Sequence, residues 1–208
     1  MVTDIREIFD DARQCIKCYG DKPIYVPYPD PKNAQGSAQL MFINERPGRN
    51  GTGESGYVSF DNRDPSAEFF RECFNQLKIN RRNVFITNAC LCHPNYDGYT
   101  DKAPTPREIV NCHYWFSRQL AVIRPKLIVT IGGTALRSMK LYFPSSQQLR
   151  VYKLEDDIGR VIRDTTPWIY PLYHTSRRGR THRVAVDQKR DWLYILNILT
   201  EMDNSLLR

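Results

Sequence analysis

Four short apolar runs punctuate the chain: Leu40–Ile43, Val84–Thr87, Leu127–Ile131 and Trp168–Leu172. Runs of this length without polar alternation predict strands buried on both faces. Between them the apolar residues recur at helical spacing. Ile5, Ile8, Phe9 and Ala12 form one such stripe and lead into a cysteine pair. Asp64-Pro65 predicts an N-cap and first turn for a helix running to about Leu77. Thr105-Pro106-Arg107-Glu108 has the form of a capping box with proline at the first helical position, opening a helix to about Ile123. Gly132-Gly133 turns the third strand into a helix ending near Lys140, and a last amphipathic helix covers roughly 186–202. Pro23, Pro27, Pro29 and Pro31 make 22–38 a loop with no regular element. Strands alternating with helices predict an α/β fold: three α/β/α layers around a central, mostly parallel four-stranded sheet. The length, 208 residues, predicts a single domain over 1–208.

Composition narrows the class. The chain is 41% hydrophobic and 12% aromatic, which excludes a disordered chain. No apolar run approaches the roughly 18 residues that span a bilayer, so no membrane partner is expected. Met1-Val2-Thr3-Asp4 has no signal-peptide pattern, which predicts an intracellular protein, cytoplasmic and nucleoid-associated. Thiols stay reduced there, so six cysteines point to metal binding rather than disulfides. A net charge of +7 suits a polyanion, although ordinary solubility needs no other explanation for it. A monomer is expected.

The thiols carry the strongest chemical signal. Cys15-Ile16-Lys17-Cys18, Cys92 and Cys112 supply the four thiolates required by a tetrahedral zinc or a [4Fe–4S] cluster. The plainer alternative is a CxxC redox pair with two buried core cysteines. Cys73 and Cys90 read as core, with Cys90 the rival for the place of Cys92. Polar chemistry gathers at the C-terminal ends of the predicted strands, where parallel α/β sheets bind ligands. Asn44-Glu45-Arg46-Pro47-Gly48 follows the first, Asn88 ends the second, and Tyr173-His174-Thr175-Ser176 follows the fourth. A basic loop with Arg177, Arg178, Arg180, His182 and Arg183 comes next.

In this order the motifs resemble those of the family 4, iron–sulfur branch of the uracil-DNA glycosylases. Cys15 and Cys18 match its N-terminal CxxC. Phe42–Gly48 is similar to its strand-GEAPG motif, and Thr87–Asn95 to its TNxxxCxPP segment. Pro106–Cys112 resembles its PxxEIxxC helix, Pro125–Gly132 its PKxIVxLG strand, and Tyr173–Ser176 its YHPS motif. Asn44, Arg46 and Thr175 stand where the family has glycine, a small residue and proline. Gly56–Phe60 matches the aromatic GxPFVG segment only loosely.

The resemblance implies an enzyme that flips uracil or a related base from DNA, hydrolyses its N-glycosidic bond and leaves an abasic site for base excision repair. It implies Cys15, Cys18, Cys92 and Cys112 as ligands of a [4Fe–4S] cluster. In such a site Asn88 reads the base, because a carboxamide can accept from uracil N3–H and donate to O4. His174 donates to O2 of the departing anion, and Glu45 orients water or stabilises the sugar cation. Tyr57 is the first choice for the ring that stacks on the base and Phe60 the second. The basic loop would contact phosphates and fill the vacated base site. Each residue has a structural alternative. Asn88 could cap a turn, His174 could be a surface histidine and Glu45 a solvated loop acid. The rings could be core, and the basic residues a solvated loop. Two other functional readings stand beside the first: a same-fold glycosylase for another modified base, motivated by Asn44, Arg46 and Thr175, and a non-catalytic member that binds DNA or a protein.

Overall fold

The computed structural model describes residues 4–48, 51–95 and 102–205. Helix α1 (Ile5–Arg13) buries the predicted stripe of Ile5, Ile8, Phe9 and Ala12. The Asp4 side chain accepts the Arg6 N–H at 3.0 Å, and Glu7 accepts the Asp4 N–H, so the helix begins with a complete capping box. Strands β1 (Ile24–Tyr25) and β2 (Tyr28–Pro29) precede the first long strand, β3 (Leu40–Asn44). Helix α2 (Thr52–Ser55), strand β4 (Tyr57–Val58) and helix α3 (Pro65–Gln76) lead to β5 (Val84–Asn88). Then come β6 (His93–Pro94), helix α4 (Pro106–Ile123), β7 (Leu127–Ile131) and helix α5 (Gly133–Tyr142). Short helices α6 (Gln147–Val151) and α7 (Leu154–Asp157) precede β8 (Trp168–Leu172), and α8 (Arg177–His182) and α9 (Ala185–Ser205) follow it.

The four apolar runs form one parallel sheet in the order β5-β3-β7-β8, as expected. Phe42 pairs with Ile86 and Val129, and Val129 with Tyr170, so these residues share a face. On that face Phe42 stacks on Trp192 of α9 at 5.1 Å and meets Phe70 of α3 edge-on at 5.2 Å. Neighbouring Thr87 points the other way, because side chains alternate along a strand. Its hydroxyl donates to Gln119 Oε1 of α4 at 2.7 Å. Helices therefore cover both faces, which is why the strands are apolar throughout. Trp192 and Phe42 are fully buried, and truncating either to alanine is expected to cost about 3–5 kcal/mol.

Two local expectations are corrected. Residues 22–38 do contain regular structure: β1 pairs antiparallel with β6, and β2 pairs parallel with β4. The prolines are compatible with these two-residue ladders, since Tyr28 rather than Pro29 supplies the N–H that reaches Gly56 O at 2.8 Å. The expected basic loop is in large part helix α8. Ser176 caps it, with its Oγ accepting the Gly179 N–H at 3.1 Å.

Candidate functional site

The register of the sheet builds the site. Asn44 and Asn88 are paired at the C-terminal ends of β3 and β5. The ladder continues past both strands: Ala89 N–H reaches Asn44 O at 2.8 Å and Cys90 N–H reaches Glu45 O at 3.1 Å. Asn88 and Glu45 are thereby held side by side. His174 arrives from the end of β8, and all three line one cavity of about 260 Å³. That is below the roughly 300–1,000 Å³ of drug-sized ligand pockets and suits a small flat heterocycle.

Within the cavity wall Asn88 is buried, and its Nδ2 has no hydrogen-bond partner among the described residues. Leaving a buried donor unmade costs about 1–3 kcal/mol, so a ligand acceptor would recover an interaction that the fold forgoes. Glu45 accepts a hydrogen bond from Thr134 Oγ1 at 2.5 Å, beside the N-terminus of α5, where a carboxylate is favoured. His174 Nδ1 accepts the Ser176 N–H at 3.0 Å, which makes Nε2 the protonated nitrogen. Burial lowers the His174 pKa below its ordinary value, against the opposing charges of Glu45 and Asp64, so a neutral donor is held in the site.

Two glycines seat that histidine. A Cβ on Gly179 would lie 1.8 Å from the His174 carbonyl oxygen. Gly132 has φ +91°, and a Cβ there would lie 3.0 Å from His174 Cβ. The sequence marked Gly132 as a turn and gave no role to Gly179. Asp64 was also missed as a site residue. Its Oδ1 caps α3 through Ser66 and Ala67 N–H at 3.0 and 3.1 Å, and the side chain lines the cavity as well. A capping signal carries no hint of that second position.

The two ring candidates separate. Phe60 lines the cavity and stacks on Phe70 at 5.2 Å. Tyr57 is not among the lining residues. It is 41% exposed and lies 6.2 Å from Tyr28 on the paired strand. Among the residues that depart from the family motifs, Asn44 and Thr175 line the cavity. Arg46 contributes to the wall, but its guanidinium reaches Glu108 Oε1 at 2.7 Å and Tyr19 Oη at 3.1 Å.

The basic segment divides in a similar way. Arg177, Arg178 and His182 are exposed. Arg180 instead donates to Thr175 O at 2.7 Å and lies over the Phe69 ring. Arg183 forms a two-pronged pair with Asp191 at 3.0 and 2.9 Å. Of the five residues expected to contact phosphate, Arg180 and Arg183 thus also make contacts within the fold.

A second cluster lies below the Glu45 loop. Cys15, Cys18, Cys92 and Cys112 line one small cavity, whereas Cys73 and Cys90 are fully buried outside its lining. Asn111 Nδ2 donates to Cys18 Sγ at 3.3 Å. Such an N–H···S bond suits a thiolate ligand. The neighbouring Cys112 and burial raise the Cys90 pKa, while the neighbouring Cys90 lowers that of Cys112, which favours the protonated thiol at Cys90. Burial pushes the Cys73 thiol up to about 12. Among the described residues, no three histidine, cysteine or acidic side chains are gathered closely enough to hold a single metal ion.

A parallel three-layer fold with a small polar cavity at the C-terminal strand rim defines the class. Residues 31–197 match the family model described as the uracil DNA glycosylase superfamily, and the chain belongs to that family. It is 28% identical over 179 residues to a type-4 uracil-DNA glycosylase of Saccharolobus solfataricus, covering 81% of this chain and 74% of that protein. A type-4 uracil-DNA glycosylase of Archaeoglobus fulgidus is 30% identical over 133 residues, 62% of this chain and 60% of its own length. Among solved structures, SMUG2 of Pedobacter heparinus shares the fold with a TM-score of 0.51 at 15% identity, over 81% of this chain and 77% of that one. No described helix is long and apolar enough to cross a membrane.

Proposed function

We propose that this protein is a DNA glycosylase that extrudes uracil into the cavity and hydrolyses its N-glycosidic bond. The observation that carries the reading is the orphaned Nδ2 of Asn88, buried in a cavity shared with His174 and Glu45. A base must leave the stack before its glycosidic carbon can be reached. In the cavity Asn88 donates to a base oxygen, while Phe60 presents its ring. As the N1–C1′ bond breaks, its electron pair leaves with the base. The neutral His174 stabilises the resulting anion by donating from Nε2 to the base oxygen where charge accumulates. Glu45 orients a water toward the cationic sugar carbon. Addition of that water forms the new C–O bond, and its proton passes to Glu45 or to the departing base.

The four thiols fit a [4Fe–4S] cluster held by Cys15, Cys18, Cys92 and Cys112, one thiolate for each iron. Support comes from the shared cavity, from the N–H···S bond to Cys18 and from the type-4 relatives. Such a cluster supplies a cross-link between the segment after α1, the loop after β5 and α4. A single zinc, the other occupant expected from the sequence, would need the thiols drawn closer together than they stand here. Exposed Arg177, Arg178 and His182 are the phosphate contacts of this reading.

A second reading, a glycosylase for another modified pyrimidine, is favoured by Asn44 and Thr175 in the cavity wall. Single-turnover release of free base from oligonucleotides carrying uracil or a bulkier pyrimidine tests both. Uracil release supports the first. An intact protein that ignores uracil and releases the bulkier base replaces it with the second.

A further inference from the structure

Arg46 joins the two centres. Its backbone follows Glu45 and forms part of the cavity wall, yet its side chain is only 6% exposed and turns toward the cysteines. Nη2 donates to Glu108 Oε1 at 2.7 Å and to Tyr19 Oη at 3.1 Å, and Nη1 donates to Lys102 O at 3.3 Å. Tyr19 also donates to Glu108 Oε1. Both anchors belong to thiol-bearing elements. Tyr19 follows Cys18 directly, and Glu108 lies one helical turn before Cys112 on α4. Glu108 is itself immobilised: its Oε2 accepts the Thr105 N–H at 2.8 Å and the Thr105 hydroxyl at 2.7 Å. A buried guanidinium is strongly biased toward a geometry that keeps its carboxylate partner, because leaving either charge alone is costly.

We propose that Arg46 is a positioning residue that fixes Glu45 by clamping its loop to the cysteine-bearing elements. The placement of the catalytic carboxylate therefore depends on the integrity of the thiol centre. This inference rests on the base-excision reading for what Glu45 does, but the clamp itself can be measured without catalysis. The amides of Ala89 and Cys90 bond to the carbonyls of Asn44 and Glu45, so their hydrogen exchange reports the position of the loop.

The experiment compares the full chain, with its iron content measured, as wild type, Arg46→Met, Glu108→Gln and the double variant. Exchange at Ala89 and Cys90 is expected to rise at least about tenfold in each single variant, as removal of a charge-assisted hydrogen bond allows. Exchange at Val129, in the middle of β7, should not change. The single-turnover rate of base release should fall while DNA affinity stays within a factor of about two. The double variant should be no worse than either single one, because the two residues act as one unit. Arg46→Lys should restore part of the protection. If Arg46→Met does not fold, Tyr19→Phe removes a single hydroxyl from the clamp and carries the same measurement. Unchanged protection at Ala89 and Cys90 overturns the clamp, as do additive losses. A wild-type protein that releases no base while the exchange pattern appears as expected leaves the clamp standing and removes the proposed function.

Discussion

His174 Nδ1 accepts the Ser176 backbone N–H at 3.0 Å, and this contact decides which end of the imidazole carries the proton. Ser176 also caps α8, so the helix start and the histidine tautomer are set by the same residue. The group proposed to stabilise the departing anion is thus presented as a neutral Nε2–H donor.

The pH dependence follows from that burial. The folded protein favours the neutral imidazole more than the unfolded chain does, because burial lowers the His174 pKa below its ordinary 6.5. The unfolded chain therefore binds the extra proton first. The contribution to stability is complete above about pH 6.5 and is lost as the pH falls through the folded-state value. NMR titration should place the His174 midpoint below 6.5, and His174→Asn should flatten the loss of stability on that acid limb. A midpoint above 6.5 would contradict the burial argument.

Asn88→Ala and His174→Ala should each keep DNA binding and lose about 10²- to 10³-fold in the single-turnover rate, the usual consequence of removing one preorganised donor. Asn88→Asp should retain little uracil release, since it replaces the donor that the cavity leaves unpaired. Near-wild-type cleavage by Asn88→Ala would remove this residue from base recognition.

Gly179→Ala tests the seat of His174. The added Cβ would lie 1.8 Å from a backbone oxygen, so either α8 or His174 must move. A stability loss of about 1–3 kcal/mol is expected, as for other overpacked positions, together with most of the activity. Thr181→Ala, on the exposed side of α8, should change neither by a comparable amount.

The arginines of α8 and its C-cap should separate by assay. Alanine at both Arg177 and Arg178 should lower the slope of log affinity against log salt by about 2, roughly one unit for each phosphate no longer neutralised. Arg183→Ala should instead lower thermal stability by about 1–3 kcal/mol through the pair with Asp191, with little change in slope. An unaltered slope in the double variant would move the phosphate-binding role to other elements.

The thiols should separate by iron content. Wild-type protein should carry about four iron atoms per chain, and Cys112→Ser should lose them. Cys73→Ser and Cys90→Ala should retain them, because neither lines the shared cavity. One zinc per chain in a folded, iron-free preparation would reject the cluster.

The sequence by itself determined the elements whose causes are local. The Thr105–Glu108 capping box, Asp64 as an N-cap and the four apolar runs each carry their own instruction, and each appears where the pattern put it. The grouping of Asn44, Glu45, Asn88 and His174 was legible too, because a parallel sheet brings its C-terminal strand ends to one rim. Side-chain direction was not legible in the same way. Tyr57 and Phe60 are three residues apart and chemically alike, yet only Phe60 lines the cavity, because β2 draws Tyr57 outward beside Tyr28. Arg46 and Arg183 read as surface or pocket charges until Glu108 and Asp191, distant or two helical turns away, supply their partners. Hydrogen bonds between residues that meet only after packing leave no periodic trace in the chain. For that reason the tertiary structure alone decided which charges stay exposed and which hold the protein together.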